Sequence, residues 1–478
     1  MLGLLDKHQR LVSMALHAIG GSCISTGGSQ RLVLARYARG ASLAICGAVV
    51  ARTFNFIVFL VAARMLGRQS FGALTIIQST AFMFSLIAIA GFGVTASRFT
   101  AACREKAPER LGCILGLAAA TSTITGVFGC VLLTIFAPYL AEHALANVSL
   151  ARPLALSATV VLFTTMNGYQ VGALSGFEAF GAIARCSMWS GLASLIGVAV
   201  GTWWGGLDGA VIGLALGQIV NWVLSEKALR SVCRVFKIQI NIRGWWQEAN
   251  VGLGFALPAF FSAVVVGLGS WYAAALLAHK SDGYIQLAMF GAADRWRSVI
   301  LFIPTSLFCT MMPILSSLEG NRDRAAFTNL FWTNLRLTTG MTTLAALLIA
   351  VGARPLMRLF GRDYSAGYLV LVVLALTTIP QGLNTVIGQR VVLRSMWARF
   401  GCDCLWVFVF TLAALFFVPR GGALGVAIAN AVAYTATVLA LVWCVRYFDR
   451  LPFQLWDDAI SLTTSGCGTR APRPRVEK

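Results

Sequence analysis

The sequence of 478 residues is poor in charged side chains. Asp, Glu, Lys and Arg make up 12% of it, about half of the share that soluble proteins carry. Hydrophobic residues make up 58%, and the mean hydropathy is +0.77. Each membrane-spanning helix needs about 20 apolar residues, so the chain has enough for about a dozen. A water-soluble enzyme and a protein with a single membrane anchor are therefore both excluded.

Acidic residues are the scarcer of the two charged classes. The chain has 18 Asp and Glu against 38 Lys and Arg, for a net charge of +20. Most basic residues lie between apolar segments, as is typical of the cytoplasmic loops of membrane proteins. The positive charge therefore indicates an orientation in the membrane and does not indicate a nucleic-acid partner.

Clusters of metal-binding or disulfide-forming residues are also lacking. The twelve cysteines include no C-x-x-C pair, and Cys402 and Cys404 would point in different directions on a helix. The four histidines lie near the termini or in predicted loops. We therefore expect no metal site, no cofactor and no structural disulfide.

Twelve long apolar segments predict an all-α, polytopic membrane protein. The segments are helices because a lipid-exposed segment must satisfy its own backbone hydrogen bonds. The predicted spans are residues 41–63, 71–96, 111–138, 152–174, 180–202, 206–225, 253–278, 286–316, 327–351, 365–388, 396–418 and 422–445.

The loop charges predict that both termini lie in the cytoplasm. This topology places about 26 basic residues inside and about 8 outside. Arg354, Arg358 and Arg362 fall outside and depart from the rule. The predicted divisions are an N-terminal arm (1–40), a first six-helix lobe (41–225), a cytoplasmic linker (226–252), a second six-helix lobe (253–446) and a C-terminal tail (447–478).

The two halves show an internal repeat with an offset of about 215 residues. The best match pairs the segment from Gly205 to Ala215 with the segment from Gly421 to Ala431, each of which opens the last span of its half. An even number of spans per half makes the repeats parallel, as in carriers whose halves rock around a central site.

Several motifs resemble the polysaccharide (oligosaccharide-lipid) flippase family of the multidrug/oligosaccharidyl-lipid/polysaccharide exporter superfamily. They are Leu66-Gly67-Arg-Gln-Ser-Phe71-Gly72, Gly91-Phe-Gly93-Val-Thr-Ala-Ser-Arg98, Leu174-Ser-Gly176-Phe-Glu178, and Pro258, Gly291, Pro304 and Pro313. The resemblance covers about residues 41–446. The run Asp294-Arg295-Trp296-Arg297 departs from it, with more charge than expected at that depth.

The resemblance implies two six-helix lobes around a central cavity and a non-enzymatic function. Family members move polyprenyl-diphosphate-linked sugar units from the cytoplasmic to the outer leaflet for O-antigen, capsule or exopolysaccharide assembly. The implied location is the cell inner membrane, with the lipid-linked oligosaccharide and membrane lipid as partners. A polysaccharide polymerase is a candidate partner, and a monomer is the expected state.

Arginines inside the spans are the candidate ligands of a diphosphate, because the guanidinium group can donate two parallel hydrogen bonds to phosphate. Arg52 lies near the middle of the first span, and it binds the diphosphate or, alternatively, another helix. Arg297 and Arg336 lie in the eighth and ninth spans, and Arg98 closes the second. Ordinary structural roles stay open for these three, with Asp294 neutralising Arg297 and Arg98 anchoring at the interface.

Asp294 is the only acid that the sequence places clearly inside a span, which makes it the candidate for coupling transport to protons or sodium. Three rival functions remain. A multidrug exporter of the same superfamily would favour acidic residues in its spans. A peptidoglycan-precursor flippase would usually have fourteen spans. A membrane-embedded glycosyltransferase or polymerase would need acidic groups on larger external loops.

Overall fold

The computed structural model describes residues 28–89, 92–104, 108–239, 253–307, 311, 315 and 324–450. Within these ranges the chain is helical and has no β-strand, so the predicted fold class is confirmed. The helices are α1 (Gly28–Ile89), α2 (Phe92–Cys103), α3 (Pro108–Tyr139), α4 (Ala151–Gly176), α5 (Phe180–Val235), α6 (Leu253–Ala278), α7 (Gly283–Ile300), α8 (Arg324–Val351), α9 (Ala353–Arg358), α10 (Tyr368–Arg394), α11 (Met396–Gly421) and α12 (Ala423–Arg450). A π-helical turn at Leu140–Ala144 and 3₁₀ turns at Val148–Leu150 and Arg362–Gly367 complete the order.

Nine helices of the described ranges are long and apolar enough to cross a membrane. Two of them bend sharply, α1 at Gly67 and α5 at Gly206, and each therefore supplies two crossing segments. The charged helix α7 supplies one more. The resulting twelve segments agree with the predicted number. Helix α1 begins at Gly28, well before the predicted start of the first span at residue 41.

The outer faces of the helices are apolar and uncovered. Phe128 and Ile135 on α3 are 65% and 67% exposed, and Leu344 and Leu348 on α8 are 62% and 66% exposed. The opposite face of α8 is buried, with Asn334, Thr338 and Thr342 packed inward. Helices with apolar exposed faces and polar buried positions are stable in hydrocarbon and unstable in water, which is the arrangement of a membrane domain.

The internal repeat is visible in the backbone. Gly206 has φ 54° and ψ −124°, and Gly422, 216 residues later, has φ 56° and ψ −128°. Glycine has no Cβ, so it adopts this conformation without the strain that other residues would suffer. Each glycine forms the turn into the last crossing segment of its half. Just after each turn a glycine (Gly209 or Gly425) lies against the backbone of the preceding segment, which lets the two segments pack closely.

Two groups of helices make up the molecule. Helices α1–α5 pack mainly against one another, and so do α6–α12. The two lobes contact each other mainly through α1, which packs against α6 and α7. The boundaries predicted for the lobes remain a prediction, and most of the predicted arm, linker and tail lies outside the described residues.

Candidate binding site at the interface of the two lobes

The half of α1 before Gly67 runs antiparallel to α7 and to the residues just after it, and each of these two segments carries an arginine that stacks on a phenylalanine of the other. The Arg52 Cζ of α1 lies 5.4 Å from the ring centroid of Phe302, just after α7. The Arg295 Cζ of α7 lies 3.6 Å from the ring centroid of Phe59 on α1. We call the four residues Arg52, Phe302, Arg295 and Phe59 the arginine seam.

Hydrogen bonds across the lobes reinforce the arginine seam. Arg52 Nη1 donates to the carbonyl oxygen of Ser298 at 3.0 Å. Arg295 Nη2 donates to Gln78 Oε1 on the second half of α1 at 2.9 Å. A guanidinium near the middle of a membrane helix costs about 2.5–3.5 kcal/mol on insertion scales. These bonds and the ring contacts, about 0.5–2 kcal/mol each for the latter, offset part of that cost.

Neither guanidinium of the seam has a salt bridge to a carboxylate among the described residues. Asp294 precedes Arg295 but forms its salt bridge with Arg297. The Arg295 Nε is buried without a hydrogen-bond partner, and Arg52 is exposed. Asp294 also interacts electrostatically with Arg295. The seam therefore carries two guanidinium groups that form no salt bridge with a described acid, and Arg52 can be reached from outside the protein. Such a site can bind an anion.

Arg297, by contrast, is neutralised. Its Nε donates to Asp294 Oδ1 at 2.7 Å, and the two side chains are 19% and 27% exposed. The two residues share a helical face, as their spacing indicates. The structure therefore places Arg297 on the same helix as Arg295 but with its charge already paired, and the sequence analysis did not include Arg295 among the candidate ligands.

The expectation that Asp294 is the only acid clearly inside a span is wrong. Asp403 lies two turns into α11 and is 8% exposed. Arg399 donates to both of its carboxylate oxygens, at 2.7 and 3.2 Å, and Ser262 of α6 donates to it as well. Asp403 lies in a predicted span four residues after Arg399, and that i,i+4 spacing was the signal in the sequence that could have identified the pair.

Tyr434 of α12 lies between the two ion pairs of the second lobe. It is close enough to interact electrostatically with Asp294 and Arg297 on one side and with Arg399 and Asp403 on the other. Its hydroxyl accepts a hydrogen bond from Gln381 at 3.1 Å. The paired charges and Tyr434 hold α7, α10, α11 and α12 together, so this network stabilises the second lobe and leaves no net charge for a ligand.

The remaining predicted ligands do not join the arginine seam. Arg336 is exposed on the face of α8 opposite to Asn334 and Thr338, which pack toward α10. Arg98 lies on α2, and its side chain is outside the described part of the structure. The structure thus groups Arg52 with Arg295, places Arg297 in an ion pair nearby, and leaves Arg336 apart.

One end of the molecule, where α1 bends at Gly67, carries several further contacts between the lobes; we call it the Gly67 end. Arg64 Nε donates to the carbonyl oxygen of Leu359 at 2.8 Å, and Arg68 pairs with Asp363 at 3.7 Å. Phe71 packs against Phe360 and Tyr364 in a buried aromatic cluster. Together with the arginine seam, these contacts hold the lobes against each other from the Gly67 end to mid-depth.

A family model described as polysaccharide biosynthesis protein matches residues 37–319 of the chain. Two curated relatives are both described as EPS I polysaccharide export inner membrane protein EpsE. The protein of Ralstonia nicotianae is 27% identical over 210 residues, which is 42% of this chain and 47% of the relative. That of Ralstonia solanacearum is 24% identical over 208 residues, which is 41% of this chain and 47% of the relative. These alignments span about half the length of the relatives.

Solved structures of the multidrug-transporter superfamily share the fold. A multidrug resistance MATE family transporter in an inward-facing conformation superposes with a TM-score of 0.69 at 14% identity, over 84% of this chain and 97% of that one. A MATE family transporter in an outward-facing conformation superposes with a TM-score of 0.63 at 16% identity, over 85% of this chain and 93% of that one. A Pyrococcus furiosus transporter of the same superfamily is described as having a binding pocket of reversed polarity. It superposes with a TM-score of 0.64 at 15% identity, over 87% of this chain and 96% of that one.

Proposed function

Because the chain belongs to the polysaccharide biosynthesis protein family, we propose that it carries polyprenyl-diphosphate-linked oligosaccharide units across the cell inner membrane. The units move from the cytoplasmic to the outer leaflet during assembly of a surface polysaccharide. The description of the Ralstonia relatives as inner membrane proteins of polysaccharide export supports both the location and the pathway. In this proposal the protein is a carrier and catalyses no covalent step.

The chemistry of such a substrate sets what the protein must provide. The sugar and diphosphate are polar and cannot cross hydrocarbon, whereas the polyprenyl tail can stay in the bilayer throughout. A wet cavity between two lobes, open sideways to lipid, meets both requirements. The two-lobe fold that this chain shares with MATE-type transporters supports such a cavity.

The single observation that carries the proposal is that neither guanidinium group of the arginine seam forms a salt bridge with a described acid. A diphosphate bears at least two negative charges and several acceptor oxygens, and arginine binds phosphate through two parallel hydrogen bonds. Arg52 is exposed and meets the diphosphate first. Arg295 becomes available when the lobes separate and its contacts with Phe59 and Gln78 are lost.

A multidrug exporter is the alternative with the same fold, and the charges argue against it. A carrier of cationic drugs needs free acidic groups in its spans. In the described part of the second lobe, Asp294 and Asp403, which lie within spans, are each paired with an arginine. The charged groups at the lobe interface that form no salt bridge, Arg52 and Arg295, are positive, which favours an anionic substrate.

The proposed mechanism is alternating access of the two lobes. With both termini in the cytoplasm, the Gly67 end faces outward, and its interlobe contacts close the cavity on that side. The higher TM-score against the inward-facing transporter supports this assignment. The membrane potential, negative inside, favours outward movement of an anion by about 2.3 kcal/mol per charge at 100 mV.

The other predicted site residues keep their proposed roles. These are diphosphate binding for Arg297, Arg336 and Arg98, and ion coupling for Asp294.

The test is made in the native host after depletion of the protein. Polyprenyl-diphosphate sugars are extracted, and their leaflet is determined with an impermeant probe on right-side-out vesicles. The proposal predicts complete sugar units trapped on the cytoplasmic side. Normal export with new sensitivity to cationic compounds would place the protein among drug exporters, and truncated units would identify an enzyme. A depleted strain that expresses the wild-type protein serves as the control, because export should return with the protein.

A further inference from the structure

A second polar cluster lies inside the first lobe, between α4 and α5, where the proposed transport function does not use it. Asn167 and Gln170 lie three residues apart on α4, and Gln218, Trp222 and Glu226 follow one another at intervals of four residues on α5. These spacings place each set on one helical face. Asn167 Nδ2 donates to the backbone and side-chain oxygens of Gln218 at 3.3 and 3.2 Å, so the two faces meet.

Glu226 is a carboxylate held largely by neutral donors. Its Oε2 accepts hydrogen bonds from Gln170 Nε2 at 2.8 Å and from the Tyr169 hydroxyl at 3.1 Å, and its side chain is 20% exposed. Its Oε1 accepts from Arg230 Nε at 2.7 Å. Arg230 is 66% exposed, so this ion pair reaches solvent, whereas the arginine partners of Asp294 and Asp403 are themselves largely buried.

Three atoms of the cluster are buried and have no hydrogen-bond partner among the described residues: Asn167 Oδ1, Gln170 Oε1 and Trp222 Nε1. Gln170 is 0% exposed and Asn167 is 5% exposed. Leaving such a group unpaired costs about 1–3 kcal/mol. Exchanging the positions of Oδ1 and Nδ2 in the Asn167 amide would not satisfy the unpaired atom, because the oxygen would then face the two oxygens of Gln218. Turning the Gln170 amide over would place its oxygen against the ionised Glu226.

We propose that Asn167, Gln170, Trp222 and Glu226 form a proton-binding site in the first lobe, with Glu226 as the proton acceptor and a buried water molecule joining the other three. One water donates two hydrogen bonds and accepts at least one, and the unpaired atoms are two acceptors and one donor. A sodium ion would suit the two oxygens but would oppose the N–H of Trp222. The chemistry of the cluster therefore favours water and a proton.

The site has two arrangements that differ by one proton. When Glu226 is ionised, Gln170 Nε2 donates to it, as the structure shows. When Glu226 takes a proton from water at its exposed side, its new O–H needs an acceptor, and the turned amide of Gln170 supplies Oε1. Protonation also removes the charge that binds Arg230. The proton comes from hydronium in that water, so one O–H bond of hydronium breaks as the O–H bond of Glu226 forms.

The groups around Glu226 define what else could titrate there. Tyr169 of α4 and Arg230 and Cys233 of its own helix interact with it electrostatically. Cys186, in the first half of α5, bonds to Ser225 beside it. Helix α1 also packs against α5, and most of its side chains before residue 49 lie outside the described part. Among the described groups, Glu226 is the one carboxylate of this cluster.

The proposal does not depend on the transported substrate, so the test uses the purified full-length protein in lipid vesicles without substrate. Infrared difference spectra are recorded while the pH is changed, and the carbonyl band of a protonated carboxylic acid is followed. The wild type should gain this band as the pH falls. Glu226→Gln should lose one component of this band, whereas Glu178→Gln, which removes a carboxylate paired with Arg104 near the same ends of α4 and α5, should keep that component.

A second variant keeps the test decisive if Glu226→Gln does not fold. Trp222→Phe preserves the ring but removes the N–H donor, and it should shift the band because the water network around Glu226 changes. The proposal is overturned if the band persists unchanged in Glu226→Gln, or if Trp222→Phe leaves its position unaltered. It is also overturned if replacing choline by sodium at constant pH perturbs the Glu226 carboxylate bands, since that result would assign a sodium site.

Discussion

Arg295 of the second lobe stacks on Phe59 of the first, with its Cζ 3.6 Å from the ring centroid, and forms no salt bridge to a described carboxylate. The neighbouring acid, Asp294, is engaged by Arg297 on the same helix. Two arginines that are two positions apart therefore have opposite characters, one neutralised within its lobe and one held by an aromatic ring of the other lobe. This difference separates a structural cation from a candidate ligand of the substrate.

Replacing Arg52 by Ala should reduce transport at subsaturating substrate by about tenfold to a hundredfold. A hydrogen bond to a charged group contributes about 1.5–3 kcal/mol, and Arg52 is the exposed member of the arginine seam. Arg52→Lys keeps the charge but not the bidentate geometry, and its transport rate should lie between those of the wild type and Arg52→Ala. The measurement is the flipping rate in vesicles at matched protein levels. A wild-type rate for a stable Arg52→Ala protein would remove this residue from the site.

Replacing Arg399 by Ala should lower the stability of the protein by about 3–5 kcal/mol, because Asp403 is 8% exposed and would be left as a buried, unpaired charge. The control is Arg152→Ala. Arg152 also pairs with an acid, Asp208, but it is 82% exposed, and such a pair contributes about 0–1 kcal/mol. Thermal unfolding in one detergent compares the two variants. Equal melting temperatures would mean that burial does not set the strength of these pairs.

Replacing Gly206 by Ala should destabilise the protein by about 1–3 kcal/mol, because φ of 54° with ψ of −124° strains any residue that has a Cβ. The space around Gly206 is open, so the effect would come from the backbone and not from a steric clash. Gly205→Ala is the matched control, since Gly205 has equally open surroundings and no positive φ. The melting temperature should fall for Gly206→Ala, and the stability of the control should stay within about 0.5 kcal/mol of the wild type.

The orientation in the membrane can be tested at the two ends of α3. Glu109 in its first turn and Glu142 just beyond its last are both exposed. If both termini are cytoplasmic, Glu142→Cys should react with an impermeant maleimide on intact cells, and Glu109→Cys should react only after the cells are opened. Labelling above that of the parent protein is the readout. The reverse pattern would invert the topology and place the Gly67 end in the cytoplasm.

The contacts at the Gly67 end should close the cavity on that side. Cysteines introduced by Arg68→Cys and Asp363→Cys, at positions whose side chains pair across the lobes at 3.7 Å, should be joined by a short, reducible thiol crosslinker. Crosslinking should stop transport, and reduction should restore it. Each single variant treated with the same reagent is the control. Transport that continues at full rate in the crosslinked protein would show that the lobes do not separate at this end.

The sequence by itself determined the membrane class, the number of crossing segments and the repeat. These properties depend on long apolar runs, on backbone hydrogen bonds that each segment must satisfy alone, and on glycines such as Gly206 and Gly422 at one constant spacing. Each is local in the chain or periodic along it, so it can be predicted without knowing which helices meet. The family resemblance had the same basis and is confirmed by the family match.

Only the tertiary structure decided which charges are compensated. Arg52, Arg295 and Arg297 are alike in sequence as basic residues inside spans, and the sequence favoured Arg297 over Arg295. Their partners are far apart along the chain: Arg52 meets Ser298 and Phe302, Arg295 meets Phe59 and Gln78, and Asp403 meets Ser262. Whether a buried charge is neutral, stacked or free depends on these long-range contacts, because electrostatic and ring interactions act over a few ångströms of space and not along the sequence.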